Sequence, residues 1–418
     1  MANDTGCGSA TGAAEAAWRI EAVGDIATIA AEEWDAVANP GWRMEPGGAL
    51  LPADPAAAPP GAFNPFVTHA FLAALEEAGT VGDGSGWHPR HLVVRHEGGP
   101  VEAAAPAYLK THSRGEYVFD YGWADAFERA GGRYYPKLQV AVPFTPVPGP
   151  RLLAGAGEGT AERRAVLAEG LKALADTTSA SSVHVTFASD EDCAALAGHG
   201  YLERNDNQFH WENEGYATFE DFLGALASRK RKQVRRERRD ALAAGLEVEW
   251  VTGSEITEAH WDAFFSFYMD TGSRKWGRPY LNRRFFSLIG ERMPGRIALV
   301  FARRGGRRVA GALNLVGSDT LYGRYWGCTE EHPFLHFEIC YYQAIDYALA
   351  HGLSRVEAGA QGEHKLARGY VPRTTRSAHF IPHPGLRHAV ARFLEQERSA
   401  VARDQEILAG YAPFRRGE

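Results

Sequence analysis

The sequence NPFVTHAFLAALEE at 64–77 returns in altered form as RPYLNRRFFSLIGE at 278–291. The aligned positions are Pro65 with Pro279, Phe66 with Tyr280, Phe71 with Phe285, Leu75 with Ile289, and Glu77 with Glu291. Both segments open with a proline near the first turn of a helix, where a missing N–H removes no hydrogen bond. Apolar residues then follow at helical spacing. Each segment is therefore predicted to form a helix, and the pair indicates an internal duplication.

A second similarity follows each of these helices. The segments 90–120 and 297–327 both read as three strands joined by tight turns. Each carries a Gly-Gly pair, Gly98-Gly99 or Gly305-Gly306, which suits a two-residue hairpin. A helix followed by a meander is common, and chance is the alternative explanation. Because helix, hairpin and third strand recur in the same order, we favour a duplicated unit.

The rest of the chain alternates between helical and extended patterns. Helices are predicted at 160–177, 218–244, 257–270, 337–350 and 385–409. Strands are predicted at 181–187, 207–213, 246–252, 355–360 and 377–381. This pattern predicts an α+β fold with mixed sheets.

Composition sets the broad class of the protein. The 418 residues are 45% hydrophobic, which is typical of a globular chain of two or three domains. The net charge is −7, so binding to a polyanion requires a local basic patch. The four cysteines form no CxxC pair, and neither a signal peptide nor a transmembrane helix is apparent. We expect a cytoplasmic protein without membrane insertion, metal site or tightly bound cofactor.

Two further segments, Phe337–Gly352 and Glu357–Pro372, resemble the Fem-like bacterial family described as predicted peptidoglycan biosynthesis or recognition N-acyltransferases. The resemblance covers roughly 63–410 and includes the aromatic stretch 116–153 and the basic helix 228–240. It implies two tandem domains of the GNAT (acetyltransferase) fold. Lys365 and Tyr370 fall, with looser spacing, where the wider Fem group has a lysine and a following aromatic residue.

The predicted domain organisation combines the repeat with this resemblance. Residues 1–16 form a disordered N-terminus, 17–213 the first GNAT-like domain and 214–418 the second. The Pro-, Gly- and Ala-rich segment 39–62 is predicted to be a long loop in the first domain. The second domain carries a basic helix at 228–244.

Polar residues concentrate around the loop that follows residue 360. Acyl transfer to an amine benefits from a general base and from donors to the developing oxyanion. The base candidates are Glu338, Glu357, Glu363 and His364. Lys365, Arg368 and Tyr370 are predicted to bind the donor. The structural alternative is that Tyr342 packs in the core and Glu363 pairs with Arg368 on the surface.

The basic helix places eight cations in the eleven residues 229–239. An ordinary solvated helix intersperses acids at i+4, and here only Glu237 and Asp240 do so. The density favours a polyanion such as tRNA, with Arg235, Arg236 and Arg239 predicted to bind the donor. A solvated face paired with acids elsewhere in the chain is the alternative.

The coenzyme A signal is weak. Many acetyltransferases hold the CoA pyrophosphate on a glycine-rich loop that opens a helix. The sequence CTEEHPFLHFE at 328–338 has no glycine at that place in the second repeat. In the first repeat Gly155, Gly157 and Gly159 precede a helix, although glycines in that position are usually only turns. These observations favour an aminoacyl-tRNA donor over acyl-CoA.

The leading functional hypothesis is transfer of an acyl or aminoacyl group from an activated ester or thioester to an amine on a small molecule or peptide. The predicted acceptor-binding residues are Tyr121, Trp123, Tyr342, Gln343 and Gln361. One alternative is an acetyl-CoA-dependent N-acetyltransferase. Another is a non-catalytic module that binds a nucleotide-linked or cell-wall precursor.

Overall fold

A computed structural model of the protein describes residues 18–275, 279–359 and 362–415. The predicted N-terminal segment 1–16 lies outside these residues. The strands are β1 Trp18–Val23, β2 Trp42–Met44, β3 Leu50–Pro52, β4 Trp87–Pro89, β5 His91–His96, β6 Ala103–Ala105, β7 Ala107–Lys110, β8 Lys137–Val140, β9 Val183–Ala188, β10 Leu202–Glu212, β11 Leu246–Thr252, β12 Ile297–Arg304, β13 Arg307–Val316, β14 Thr320–Cys328, β15 Arg355–Glu357 and β16 Val371–Phe380.

The helices lie between and after these strands. They are α1 Ala31–Ala38, α2 His69–Glu77, α3 Tyr121–Arg129, α4 Thr160–Thr177, α5 Asp190–Gly198, α6 Phe219–Ala225, α7 Ser228–Leu242, α8 Glu258–Lys275, α9 Arg283–Arg292, α10 Leu335–Phe337, α11 Gln343–Ala350 and α12 Pro384–Gly410. A π-helical turn, Glu338–Tyr342, joins α10 to α11. None of the helices in the described chain is long and apolar enough to cross a membrane.

One mixed sheet connects both halves of the described chain. Its eleven strands run in the order β11-β12-β13-β14-β15-β10-β16-β9-β8-β7-β4, and β1, β5 and β6 form a smaller sheet. In the second half, β11 to β14 pair antiparallel and β15 joins β14 in parallel. In the first half, β5 pairs antiparallel with β1 and with β6. Strand β7 pairs antiparallel with β8, and β9 joins β8 in parallel.

The two parallel pairs have the same extent. Each spans three paired positions, from Leu138↔Val183 to Val140↔Val185 in the first half and from Thr320↔Arg355 to Tyr322↔Glu357 in the second. The helices of the repeat also occupy equivalent places, because α2 precedes β5 and α9 precedes β12. The predicted tandem GNAT-like α+β fold is therefore confirmed.

The two halves exchange a strand at the centre of the sheet. Strand β10 follows β9 in the chain, yet it pairs with β15 of the second half. Strand β16 follows β15, yet it pairs with β9 of the first half. The two exchanged strands pair with each other over nine residues, from Leu202↔His379 to His210↔Val371. Each half is thus completed by a strand that belongs in sequence to the other.

The helices of the repeat pack directly against each other. Phe71 and Phe285, which align in the repeat, meet edge to face with ring centroids 5.6 Å apart. Both side chains are buried in one core cluster that spans the two halves. The Asn282 amide donates to the carbonyl of Ala78 at 2.6 Å across the same contact.

Three local predictions were wrong. The third strand of the first repeat is β8 at 137–140 and lies outside the predicted segment 90–120, because a loop and α3 are inserted before it. The segment 39–62 contains the hairpin of β2 and β3 and is not only a loop. The helix predicted at 218–244 is two helices, α6 and α7. The chain is extended at Leu226, and the Ala227 N–H donates to the carbonyl of Pro413.

The exchange predicts that neither half folds alone. A chain ending at residue 213 would keep β10 without its β15 and β16 partners, and β9 would be an open edge. We expect residues 18–213 expressed alone to show no cooperative thermal transition by circular dichroism. Co-expression with residues 214–418 should restore a 1:1 complex with a cooperative transition. A monomeric, cooperatively folded fragment 18–213 would contradict the exchange.

Candidate functional site

The two parallel strands of the second half separate at a defined point. Tyr322↔Glu357 is their last paired position, after which β14 continues to Cys328 and β15 ends. Ligands of open α/β sheets bind in the crevice outside the carboxyl ends of such strands. The candidate site is therefore the region around Glu357 and the segment that follows it.

Glu357 is a buried carboxyl without a close cation. It is 5% exposed, and its Oε2 has no hydrogen-bond partner among the described residues. The nearest imidazole, His210 on β10, places Nδ1 3.9 Å from Glu357 Oε1. Burial raises the pKa of Glu357 from 4.5 to about 8. Near neutral pH the side chain can therefore both hold and release a proton.

His210 stays neutral beside this carboxyl. Burial, together with the charges of Arg355, Arg373 and Lys365, lowers its pKa to about 3. Its Nε2 lies 3.2 Å from Gln208 Oε1, and the Gln208 amide donates to the carbonyl of Pro146 at 2.8 Å. The exchanged strand β10 thus supplies an oriented imidazole to the second half.

Lys365 lies in the turn of 3₁₀ helix Glu363–Arg368 that follows the strand. Its side chain is 1% exposed, and Nζ donates to the carbonyl of Gly359 at 2.8 Å. Burial lowers the pKa of Lys365 to about 8. Because an ammonium carries three N–H donors, the bond to Gly359 leaves two for a ligand. The lysine is held at the carboxyl end of β15, as its predicted donor-binding role requires.

Arg368 is engaged by the basic helix. Its guanidinium donates twice to the Glu237 carboxylate, at 2.9 and 3.1 Å, and once to the His364 carbonyl at 2.6 Å. Tyr342 also donates to Glu237 and is fully buried. Arg368 therefore positions the loop and Tyr342 is core, which corrects the predicted donor- and acceptor-binding roles. Arg368 forms a buried ion pair with Glu237, whereas the predicted alternative was a surface pair with Glu363.

Glu338 is likewise a structural acid. It is fully buried, accepts from Arg238 at 3.0 and 3.2 Å, and accepts from the Gln343 amide at 2.8 Å. Gln343 in turn accepts from the Trp250 indole at 3.0 Å. The roles predicted for Glu338 as a base and for Gln343 as an acceptor ligand are wrong, because both side chains are taken up by partners inside the protein.

The aromatic residues of the loop divide into buried and exposed members. Tyr370 is fully buried and donates to the Tyr341 carbonyl at 3.3 Å, so its side chain is not open to the donor that it was predicted to bind. His364 is exposed, and its Nε2 lies 2.8 Å from the Tyr341 hydroxyl. The catalytic role of His364 stays a prediction. Gln361 and the side chain of Glu363 lie outside the described part of the chain.

The three arginines predicted to bind the donor are exposed but paired with acids. Arg235 pairs with Glu220, while Arg236 and Arg239 pair with Asp240. Within the described chain, the ion pairs of α7 involve its second half and not residues 229–232. The unpaired cations of this helix are thus at its N-terminal end.

The predicted acceptor residues of the first half differ in access. Tyr121 is 48% exposed and stacks on Phe119, with ring centroids 5.8 Å apart. Trp123 is 7% exposed and packs edge to face on His379 at 5.0 Å. Only Tyr121 is open to a ligand, so the acceptor role of Trp123 is corrected to a packing role.

Sequence reasoning missed Arg324, which follows the separation point on β14. It donates to the Phe144 carbonyl at 2.8 Å, and its buried Nε has no hydrogen-bond partner among the described residues. Phe144 has a left-handed backbone, with φ of 58°, and stacks on Tyr280 at 4.9 Å. The sequence analysis also missed His210, which shares a strand face with Gln208 on β10. Two polar residues at alternate positions of a strand were the sequence signal that could have revealed it.

The helix openings that could hold a CoA pyrophosphate are occupied or acidic. In the first half, Arg163 donates to the carbonyls of Ala154, Ala156 and Glu158, so the glycine-rich loop closes on a side chain of the protein. In the second half, Glu330 precedes α10 and binds Arg304 and Arg307. No group of three metal-ligating side chains occurs in the described residues.

Two acetyltransferase-type halves that share one sheet, with a buried acid and lysine where parallel strands separate, define a class: a tandem GNAT-fold transferase. The chain belongs to the FemAB-like family, described as peptidoglycan biosynthesis/recognition, whose family model matches residues 25–416. This membership confirms the Fem-like resemblance and supports the predicted class of acyl- or aminoacyltransferase.

Comparison with one solved structure, that of FemX, supports the fold. The crystal structure of FemX is 13% identical, with a TM-score of 0.51, and the match covers 87% of this chain and 98% of that chain. L-PGS from Bacillus licheniformis is 12% identical with a TM-score of 0.48, covering 80% and 98%. A tandem GNAT protein from the clavulanic acid biosynthesis pathway is 14% identical with a TM-score of 0.42, covering 88% and 99%. No curated protein matches the sequence.

The state of Glu357 predicts a pH dependence of stability. A carboxyl whose folded pKa is raised from 4.5 to about 8 stabilises the fold below pH 4.5 and loses that contribution as pH rises to 8. We expect Glu357→Gln to gain stability relative to the wild type by at least about 1 kcal/mol between pH 5 and pH 8. Urea unfolding at both pH values measures the gain.

The matched control is Glu214→Gln, which changes an exposed carboxyl on the loop after β10. Its stability difference from the wild type should stay constant across the same pH range. Parallel pH profiles for Glu357→Gln and the wild type would show that the carboxyl is not protonated in the folded state.

Proposed function

We propose that the protein transfers an acyl or aminoacyl group from an activated ester to an amine, at the strand ends where β14 and β15 separate. The observation that carries this proposal is the buried Lys365 ammonium beside the carbonyl of Gly359, at the carboxyl end of the strand that holds Glu357. A cation and an unpartnered carboxyl at one strand end are the groups that the chemistry needs.

The reaction uses these groups in sequence. The neutral acceptor amine attacks the carbonyl carbon of the donor, and the carbonyl oxygen becomes an oxyanion. Lys365 donates to this oxyanion with an N–H not used by Gly359. The nitrogen gives its proton to the ionised Glu357, with His210 beside the carboxyl. The bond from carbon to the leaving oxygen then breaks, and that oxygen takes the proton held by Glu357, which returns the carboxylate to its ionised form.

The donor is proposed to be an aminoacyl ester, such as aminoacyl-tRNA, and not acyl-CoA. A CoA pyrophosphate needs free backbone N–H groups at a helix opening. The glycine-rich loop of the first half closes on Arg163, and Glu330 occupies the approach in the second half. An aminoacyl ester needs neither loop, because its reactive carbonyl can reach these strand ends alone.

The acceptor is proposed to approach from the face between the two halves. Arg324 lies on β14 just beyond Tyr322, the last residue that pairs with β15. Its charge, like that of Arg355, lowers the pKa of Glu357 and so opposes the effect of burial. Tyr121 and Tyr280 are exposed aromatic residues on the first and second halves. A cation with flanking aromatic faces suits an amine-bearing acceptor that also carries an anionic or ring-containing part. The family description makes a peptidoglycan precursor the leading acceptor.

Lys365 provides the direct test. Lys365→Met keeps the buried stem and removes the ammonium, so kcat should fall by about 100-fold or more, the scale of losing one oxyanion donor. The folded state should persist, because a buried charge with one hydrogen bond is replaced by an apolar group. Single-turnover transfer from aminoacyl-tRNA to an amine-bearing peptidoglycan precursor measures the rate.

Lys172→Met is the matched control, because this lysine on α4 pairs with Glu169 at the surface. Its rate should equal that of the wild type. Full activity of a folded Lys365→Met protein would remove the lysine from the mechanism. Saturable transfer from acetyl-CoA, together with no reaction from aminoacyl-tRNA, would replace the aminoacyl ester with a CoA donor.

A further inference from the structure

The two most exposed large hydrophobic side chains of the described chain lie at the C-terminal end of α12, Ile407 in its last turn and Tyr411 directly after it. Tyr411 is 71% exposed at the end of α12, and Ile407, four residues earlier, is 58% exposed. Residues four apart on a helix are neighbours, so the two side chains form one apolar patch. Arg403, a further four residues earlier, is exposed on the same stripe.

The chain end after α12 is fixed beside the start of the basic helix. The Ala227 N–H donates to the Pro413 carbonyl at 2.8 Å, and the Arg415 N–H donates to the Ala225 carbonyl at 3.0 Å. Leu226 and Phe414 form an isolated bridge between these bonds. Tyr411 and Arg229 each lie two residues from this contact, so their backbones are within about 20 Å of each other.

Cations surround this contact without partners inside the protein. In the part of the chain that the structure describes, no ion pair or side-chain hydrogen bond engages residues 229–232 or the exposed side chain of Arg415. The second half of the same helix differs, because Arg235, Arg236 and Arg239 are paired with acids. The nearby acids Asp404 and Glu406 on α12 are fewer than these five cations.

We infer that this surface, formed by residues 229–232, Ile407, Tyr411 and Arg415, docks the protein on an anionic membrane. Cations gather at a negatively charged lipid surface, and exposed apolar and aromatic side chains enter the boundary between headgroups and acyl chains. Nucleic acid would also attract the cations, but its charged backbone offers no apolar environment in which an exposed isoleucine could be buried. The pairing of charge with the apolar patch therefore favours lipid. This inference stands apart from the transfer reaction, since it uses none of its residues.

The experiment is sedimentation of the full chain with vesicles of phosphatidylcholine alone or with 30% phosphatidylglycerol. We expect binding to the anionic vesicles only. Reversal of Arg229, Arg231 and Lys232 to Glu should weaken it by at least about 100-fold, at about fivefold per cation near the surface. Ile407→Ser with Tyr411→Ser should weaken it by about tenfold or more.

The control is charge reversal of Arg235, Arg236 and Arg239 on the same helix, which should weaken binding less than the reversal at 229–232. Fluorescence anisotropy with deacylated tRNA, on the same variants, tests the competing partner. Binding to tRNA but not to vesicles would overturn the inference. Vesicle binding that is indifferent to Ile407 and Tyr411, or equal loss in the control, would overturn it as well.

Discussion

The exchange of β10 and β16 is the constraint on which the rest of the structure depends. Each strand completes the sheet of the half to which it does not belong in sequence, and together they form the centre of the eleven-stranded sheet. A strand in the middle of a sheet must pair its backbone on both sides, because buried N–H and C=O groups without partners are costly. The two halves are therefore held by main-chain hydrogen bonds as well as by the packing of α2 on α9.

The candidate site follows from this exchange. His210 reaches Glu357 only because β10 lies beside β15, and the neutral imidazole leaves the carboxyl uncompensated and its pKa raised. A buried, unpaired carboxyl destabilises the fold, and groups of this kind are typical of sites where proton transfer is needed. The basic helix contributes indirectly, since Glu237 holds Arg368 and so fixes the turn that carries Lys365. A polar network that positions one lysine explains why so many charged residues share this region.

The sequence predicted the repeating units well, because each has local periodicity. Strand β11 and helix α4 have the predicted bounds. The Gly305-Gly306 turn has positive φ at both glycines, as a two-residue hairpin with a type I′ turn requires. The pairings between distant strands could not be predicted from local sequence patterns. The strand exchange, the insertion before β8 and the break at Leu226 each depend on contacts between residues far apart in the chain. Local propensity does not encode such contacts.

The same limit explains which site residues were recognised. A count of charges in a loop finds Lys365 and Arg368 equally, but only the fold shows that Glu237 neutralises one of them while the other keeps free donors. Glu338 was misjudged for the same reason, because Arg238 comes from a helix 100 residues earlier. Glu357 was one of the same base candidates, and only the fold shows that its Oε2 has no hydrogen-bond partner among the described residues.

The two halves also differ at the ends of their parallel strands. In the first half His184 on β9 pairs in register with His379 on β16, as Glu357 on β15 pairs with His210 on β10 in the second half. There the two imidazole Nδ1 atoms lie 2.7 Å apart, and Ser182 binds the far nitrogen of His184. Lys137 fills the space beside them and donates to Ser113, Glu116 and Asp120. The Lys137 ammonium thus uses three donors inside the protein, whereas the Lys365 ammonium uses one. Because the second ammonium keeps donors for a ligand, this difference supports placing the proposed transfer reaction in the second half.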